Sequence, residues 1–187
     1  MERYGREWNM DTPISAAAGL ETRRLRLFPV RAADAEEMAV VLGDPRLHEF
    51  TGGRPLGVAE LRAQYRRWTA GPASPGELWL NWVVRQRETG EAVGTVQATV
   101  TTRADGGRTA QAAWVIGVPW QGRGFAAESA AALVAWLTGA GVAEVTACIK
   151  PGHRGSERVA ERAGLQPTTG SVDGERVWRL IADRAPG

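Results

Sequence analysis

A glycine-rich stretch late in the chain contains the residue types best suited to chemistry. Residues 112–128 (AAWVIGVPWQGRGFAAE) read as an apolar strand, a turn and an alanine-rich helix. Gly122 and Gly124 lack side chains, so the backbone N–H groups around them are accessible to a ligand. The start of the helix adds unpaired N–H donors and the positive end of the helix dipole. The stretch therefore predicts an anion site, most naturally for a phosphate or pyrophosphate.

Dinucleotide binding is one interpretation of this loop. Gly122-x-Gly124-x-x-Ala127 matches the G-x-G-x-x-G/A fingerprint, and Glu144 lies about 20 residues further on, where a ribose-binding acid is expected. That fingerprint belongs to a parallel β-α-β unit that usually opens a doubly wound sheet. Here the loop comes late and follows antiparallel patterns, so a nicotinamide-dependent oxidoreductase is the weaker alternative. A Walker loop is excluded because it needs a lysine that this loop lacks.

The elements that must position this loop follow from the hydrophobic pattern. Alternation of polar and apolar residues predicts strands over 21–30, 78–85, 93–101, 109–117, 142–149 and 177–181. Helical spacing predicts helices after Asp34 and over 58–68, 126–138 and 156–163. The strands before the loop follow one another through short turns and predict hairpins, so this part of the sheet is antiparallel.

The same loop resembles the acetyl-CoA signature Gln/Arg-x-x-Gly-x-Gly/Ala of the GNAT superfamily of N-acetyltransferases, here as Gln121-x-x-Gly124-x-Ala126. Three further segments resemble the RimJ/RimL-like branch of that superfamily. They are TRRLRL at 22–27, ETGEAVGT at 88–95 and PGHRGSERVAERAGL at 151–165. The four matches occur in order and cover nearly the whole chain from residue 21, which makes them far more specific than one glycine loop.

This resemblance implies an α+β (mixed α/β) fold. Its largely antiparallel, twisted sheet of six to seven strands is flanked by about four helices and splayed at the acetyl-CoA site. It also implies acetyl-CoA as cosubstrate, no metal, and transfer to a primary amine by direct attack in a ternary complex. The acceptor is a protein N-terminus or a small-molecule amine. The residues implied for cofactor binding are Ile116, Gly117, Val118, Gln121, Gly122, Arg123, Gly124, Phe125, Ala126 and His153.

Ser156 is the proton donor that the resemblance implies for the leaving sulfur. Its position near the start of a helix also fits an N-cap serine, so both interpretations stay open. The sequence departs from the family at two positions. His153 stands where an asparagine is usual, and Ala160 stands where many members have a tyrosine general acid. These departures leave room for a non-catalytic acyl-CoA-binding domain.

Two carboxylates are candidates for the general base. Glu77 and Glu144 both lie near the start of a predicted strand. Deprotonation through water is an equal alternative, because an amine needs only modest help near neutral pH. The sequence does not decide between these routes.

Composition excludes several other classes of protein. The net charge is +2, and acidic residues are interleaved with the arginines, so there is no basic stripe for nucleic acid. Cys148 is the single cysteine, which allows no disulfide within the chain and no Cys/His metal cluster; we expect it to be a core residue rather than a nucleophile. No stretch approaches the ~18 apolar residues of a membrane span, and no signal peptide is evident. These features predict a cytoplasmic protein.

The domain organisation that we expect is simple. Residues 1–19 have no apolar periodicity and predict a flexible leader. Residues 20–187 then form a single N-acetyltransferase domain. A homodimer is the oligomeric state that the family resemblance implies.

Overall fold

The computed structural model describes residue 14 and residues 19–50 and 52–182. Most of the predicted leader, residues 1–13 and 15–18, therefore lies outside the described residues. Ile14 is an exception, since it is only 5% exposed and packs in the main hydrophobic core.

An eight-stranded sheet is the centre of the described structure, with the strand order β1-β2-β3-β4-β5-β6-β8-β7. The strands are β1 (Leu20–Glu21), β2 (Leu25–Pro29), β3 (Glu77–Gln86), β4 (Ala92–Thr102), β5 (Arg108–Ile116), β6 (Val142–Ile149), β7 (Gln166–Val172) and β8 (Glu175–Ile181). Neighbouring strands in this sheet are antiparallel, except that β5 and β6 are parallel. The predicted fold class is confirmed, with eight strands in place of the expected six to seven.

Helices cover both faces of the sheet. Within the described ranges the α-helices are α1 (Ala35–Val41), α2 (Val58–Ala70), α3 (Phe125–Gly139) and α4 (Arg154–Arg162). Trp82 and Val83 are adjacent in β3 and both fully buried, so their side chains leave opposite faces of the sheet. Trp82 packs in the core that contains Leu133 of α3, whereas Val83 packs in a second core with Met38 and Tyr65 of α1 and α2.

The sequence pattern predicts β8 but not β7, the other strand of the last hairpin. β7 is exposed along nearly its whole length, so it lacks the apolar alternation that predicts a strand. Asp173 (φ 51°) and Gly174 (φ 81°) form the turn that joins it to β8. Asp-Gly is among the strongest short signals for a two-residue hairpin turn, and it was the one feature that could have revealed β7.

The parallel pair β5–β6 is joined for only part of its length. The last paired residues are Gln111 and Thr146. Beyond them β5 continues beside β4 as far as Ile116, and β6 continues beside β8 as far as Ile149. The sheet therefore opens between the last residues of β5 and the last residues of β6.

Gly117 lies at the end of the opened strand and packs closely against α1. A Cβ atom at this position would lie 2.7 Å from the Val41 carbonyl oxygen and 2.9 Å from Cε3 of Trp120. The absence of a side chain thus lets the end of β5 contact the backbone of α1. The residue is required for packing, whatever its role toward a ligand.

We expect Gly117→Ala to lower the free energy of unfolding by about 1–3 kcal/mol, because the added methyl group overpacks a site bounded by backbone. Urea denaturation measures the change. Gly139→Ala is the matched control, since a Cβ there would meet nothing within 4 Å. Equal unfolding midpoints for Gly117→Ala and the wild type would contradict the close packing of β5 on α1.

Candidate active site

A cavity of about 900 Å³ lies where β5 and β6 separate. This volume is in the upper part of the range typical of small-molecule sites. Its walls come from the ends of β5 and β6, the glycine loop, the start of α3, the start of α4 and the segment 46–50. The predicted site residues that line it are Ile116, Val118, Gln121, Gly122, Gly124, Phe125, Ala126, His153 and Ser156.

The opened edge of β5 presents backbone groups to this cavity. The Gly117 amide donates to the Val93 carbonyl of the strand on the other side (2.8 Å). Because hydrogen bonding alternates along an antiparallel strand, the N–H and C=O groups of Ile116 and Trp114 point to the opposite edge, toward the gap. The Gln121 side-chain amide donates to the Ile116 carbonyl (2.9 Å) and so ties the loop to the strand end.

The glycine loop leads directly into α3. Gly122 (φ 75°) and Gly124 (φ 80°) both adopt the left-handed conformation, and Gly124 is the N-cap of the helix. The first main-chain bond of α3 runs from the Glu128 amide to the Gly124 carbonyl (3.0 Å). The amides from Phe125 to Ala127 therefore have no acceptor within the helix and form the donor set that an anion requires.

Glu128 links this loop to the turn between β1 and β2. One carboxylate oxygen accepts from the Thr22 hydroxyl (2.6 Å) and the Arg24 amide (2.8 Å), and the other accepts from Nε of Arg24 (2.7 Å). Burial alone would raise the pKa of Glu128, but these hydrogen bonds together hold the pKa below its ordinary value of 4.5. Glu128 is therefore an ionised anchor for the loop and is turned away from a ligand.

The start of α4 forms the wall of the cavity opposite the free edge of β5. Ser156 is the third residue of α4, whose N-cap is His153, so the interpretation of Ser156 as an N-cap is wrong. The His153 ring stacks on Phe50 with 4.1 Å between ring centroids, which closes the cavity toward the 46–50 segment. Burial lowers the pKa of His153 below 6.5, with a smaller opposing effect from Glu157, and this favours the neutral imidazole.

Tyrosine is absent from the described walls of the cavity. Ala160, at the position where the family resemblance implies a tyrosine in many members, is fully buried in the main core. Tyr65 is likewise fully buried, in the second core beneath α1 and α2. Among the described lining residues, Ser156 is the hydroxyl at the start of α4.

Several other predicted residues do not reach the cavity. Glu77 begins β3 beside Thr101, where its carboxylate accepts from Nε1 of Trp79 (3.0 Å). Glu144 lies near the start of β6 beside Thr109. Both positions are at the end of the sheet opposite the opening, so neither carboxylate lines the cavity. Gly117 and Arg123 are also outside the lining.

Sequence reasoning missed two carboxylates that do line the cavity, Glu49 and Glu175. Glu49 follows the short 3-10 helix Pro45–His48, and Glu175 is the first residue of β8. Only the Asp173-Gly174 turn signal could have placed Glu175 at the head of a strand. No comparable signal marks Glu49.

Cys148 is half-buried and lines the cavity, whereas we expected a core residue. Burial is the main reason that the pKa of its thiol is raised, and the carboxylates of Glu175 and Asp173 add to the effect against a hydrogen bond from Gln111. The thiol is therefore protonated near neutral pH, which disfavours a nucleophilic role.

Two further features bear on function in the part of the chain that the structure describes. No cluster of three or more His, Cys, Asp or Glu side chains there could hold a metal ion. No helix in the same ranges is sufficiently long and apolar to span a bilayer.

An opened sheet beside a glycine loop and a free helix N-terminus suits an extended ligand with a phosphate group at one end, as the resemblance to acyl-CoA-dependent acetyltransferases implies. The chain belongs to the GNAT acetyltransferase family, because the family model for the acetyltransferase (GNAT) domain matches residues 24–166. Members of this family use acetyl-CoA as the acetyl donor. No curated protein sequence matches the chain significantly.

Solved structures agree with this assignment. The acetyltransferase from Agrobacterium tumefaciens str. C58 has a TM-score of 0.64 and 25% identity, covering 94% of this chain and 99% of its own. The ribosomal-protein-S5-alanine acetyltransferase from Vibrio fischeri has a TM-score of 0.72 at 15% identity, covering 89% and 98%. A GNAT-family acetyltransferase from Bacillus anthracis has a TM-score of 0.70 at 15% identity, covering 89% and 100%. At 15% identity, the last two similarities concern the fold alone.

Proposed function

We propose that this protein is an N-acetyltransferase of the RimJ/RimL-like branch, which transfers the acetyl group of acetyl-CoA to a primary amine by direct attack in a ternary complex. The observation that carries the proposal is the separation of β5 from β6 directly beside the glycine loop. A peptide N-terminus or a small-molecule amine is the acceptor. A cytoplasmic location fits the single cysteine, which requires no oxidising compartment.

The shape of the cavity and its donors fit acetyl-CoA. The free amides at the start of α3 suit the pyrophosphate, and the opened edge of β5 suits the amide groups of the pantetheine arm. Bound acetyl-CoA supplies a thioester carbonyl that the amine attacks, and coenzyme A leaves as its thiol. The Trp114 and Ile116 amides on the gap side are donors that can bind the acyl oxygen.

Ser156 is the residue that we assign to proton donation toward the leaving sulfur. Its hydroxyl is on the wall opposite the β5 edge, and no tyrosine lines the described cavity to take that role. Glu77 and Glu144 lie at the far end of the sheet and do not take the proton of the amine. That proton passes to water or to the carboxylate of Glu49, which lines the cavity. His153 is a neutral imidazole stacked on Phe50, so we assign it to contact with acetyl-CoA and not to acid catalysis.

The acceptor enters from the face that α1 and α2 cover only in part. On this side the cavity is lined by Glu49 and Phe50 from the loop before α2 and by Thr95 and Gln97 of β4. These groups offer an acidic side chain, an aromatic ring and polar contacts to an amine. They favour an acceptor amine with a small positive charge near the reacting nitrogen, and they do not identify the acceptor further.

An acetylation assay with a panel of amines tests the proposal. The panel contains peptides with free N-termini, amino acid derivatives, polyamines and amine antibiotics, and mass spectrometry detects products. We expect at least one amine to gain one acetyl group for each coenzyme A released. Thermal stabilisation by coenzyme A without transfer to any amine would support a non-catalytic acyl-CoA-binding domain. Stabilisation by NAD(P) and not by coenzyme A would contradict both interpretations.

Variants of Gly122 test the pyrophosphate assignment. Gly122 lines the cavity, and a Cβ at this position would meet nothing within 4 Å. Asn and Asp tolerate the left-handed conformation better than other residues with a Cβ, so Gly122→Asn and Gly122→Asp should both fold and should differ mainly in charge. We expect the Asp variant to bind coenzyme A at least about tenfold more weakly than the Asn variant, because its carboxylate adds negative charge to the loop that we assign to the phosphates. Calorimetric titration measures the difference. Equal affinities would remove the loop from the phosphate site.

Ser156→Ala tests the assigned proton donor. We expect kcat to fall by about 100-fold with KM for acetyl-CoA unchanged, because general acid catalysis contributes on this scale and the hydroxyl adds little to binding. Ser171→Ala, an exposed serine of β7, is the matched control and should leave both constants unchanged. A wild-type kcat in Ser156→Ala would exclude Ser156 from the chemistry.

A further inference from the structure

We propose that Arg24, which lies outside the cavity lining, is a positioning residue for the pyrophosphate of the donor because it fixes the direction of the Gly124 amide. The proposal rests on the acetyl-CoA function proposed above and adds a residue from the opposite end of the sequence to that site.

Arg24 is itself held firmly in place. It belongs to the turn between β1 and β2, and both its backbone amide and its Nε donate to Glu128 (2.8 and 2.7 Å). The Thr22 hydroxyl donates to the same carboxylate (2.6 Å). The Glu128 side chain is 18% exposed and the Arg24 side chain 38%, so the ion pair is half-buried and solvent screens it in part. The Nη groups of the guanidinium are thereby left to contact the loop.

The guanidinium of Arg24 contacts Arg123 and the Phe125 ring at the junction of the loop and α3, and it lies beside Gly124 between them. Nη1 donates to the Arg123 carbonyl (3.0 Å), and the guanidinium carbon lies 4.9 Å from the centroid of the Phe125 ring. Nη2 would lie 3.3 Å from a Cβ built on Gly124. One side chain therefore holds the backbone where the anion site begins.

Because of peptide geometry, this contact also determines the direction of the N–H group that donates to the ligand. In a trans peptide the C=O of one residue and the N–H of the next point in opposite directions, and none of the described peptide bonds is cis. Since the Arg123 carbonyl points to Arg24, the Gly124 amide points away from Arg24. Consistently, Gly124 lines the cavity and Arg123 does not. Glycine gives this peptide unusual freedom to rotate, and the Arg24 contact opposes that rotation.

Arg24 has a second effect, through charge. Glu128 lies in the first turn of α3, where an unpaired carboxylate would repel a bound phosphate. The guanidinium of Arg24 neutralises that carboxylate at 2.7 Å. The loop can therefore use the positive end of the helix dipole without opposition from Glu128.

Steady-state kinetics of the full chain with two donors tests the proposal. Acetyl-CoA contains the pyrophosphate, whereas S-acetylpantetheine ends before it. We expect Arg24→Ala to raise KM for acetyl-CoA by about tenfold or more with kcat within about twofold, because one charge-assisted contact is worth roughly this factor. The value of kcat/KM for S-acetylpantetheine should not change. An equal loss with both donors, or no change with acetyl-CoA, would overturn the proposal.

Two variants separate positioning from stability. Arg24→Lys keeps a charge that can pair with Glu128 but cannot also reach the Arg123 carbonyl, so it should restore the unfolding midpoint and leave KM for acetyl-CoA raised. Arg26→Ala removes a half-exposed arginine of β2 that is paired with Glu21 of the neighbouring strand β1, and it should leave KM unchanged. Full recovery of KM in Arg24→Lys would indicate that charge alone matters and would overturn the orienting role.

Inorganic pyrophosphate gives a readout that needs no transfer activity. We expect added pyrophosphate to shift the NMR signal of the Gly124 amide in the wild type. In Arg24→Ala, half-saturation of this shift should need a pyrophosphate concentration at least about tenfold higher. Saturation at the same concentration in both proteins would overturn the proposal. A wild-type protein that shows the shift but acetylates no amine would count against the proposed function and would leave the orientation by Arg24 supported.

Discussion

The loss of pairing between β5 and β6 is the constraint on which the site depends. A sheet normally satisfies the backbone groups of an inner strand on both sides, so an inner strand with one free edge leaves polar groups that need other partners. Here each strand keeps its outer neighbour, β4 for β5 and β8 for β6, and the sheet remains continuous through residues 109–111. The free edge is therefore rigid, which is the property that a site for an extended ligand requires.

Contacts between distant parts of the sequence keep the glycine loop beside this opening. Glu128 joins α3 to Thr22 and Arg24, which lie more than a hundred residues earlier in the chain. Trp120 packs against both hydrophobic cores, and Gly117 allows the strand end to contact α1. The loop is thus fixed from the β1–β2 turn, from α1 and from its own strand. Its amides are oriented by the fold before any ligand arrives.

Local pattern predicted most of the elements, because hairpins and amphipathic helices are encoded within short windows. It missed β7, whose exposed residues show no alternation, and it misplaced the carboxylates. Glu77 and Glu144 each lie near the start of a strand, but only the register of the whole sheet shows that these starts are at the end opposite the opening. Glu49 and Glu175 reach the cavity through tertiary structure alone.

The partial match to a dinucleotide fingerprint has a physical explanation in this fold. β5, α3 and β6 form a parallel β-α-β unit, so a strand, a glycine turn and a helix N-terminus meet as they do in a doubly wound sheet. Such a unit specifies a phosphate site and nothing about the reaction. What differs here is the strand after the crossover, which leaves β5 beyond Gln111 and opens a path through the sheet. A glycine loop in this setting holds one end of a ligand, and the free edge of β5 determines where its reactive end lies.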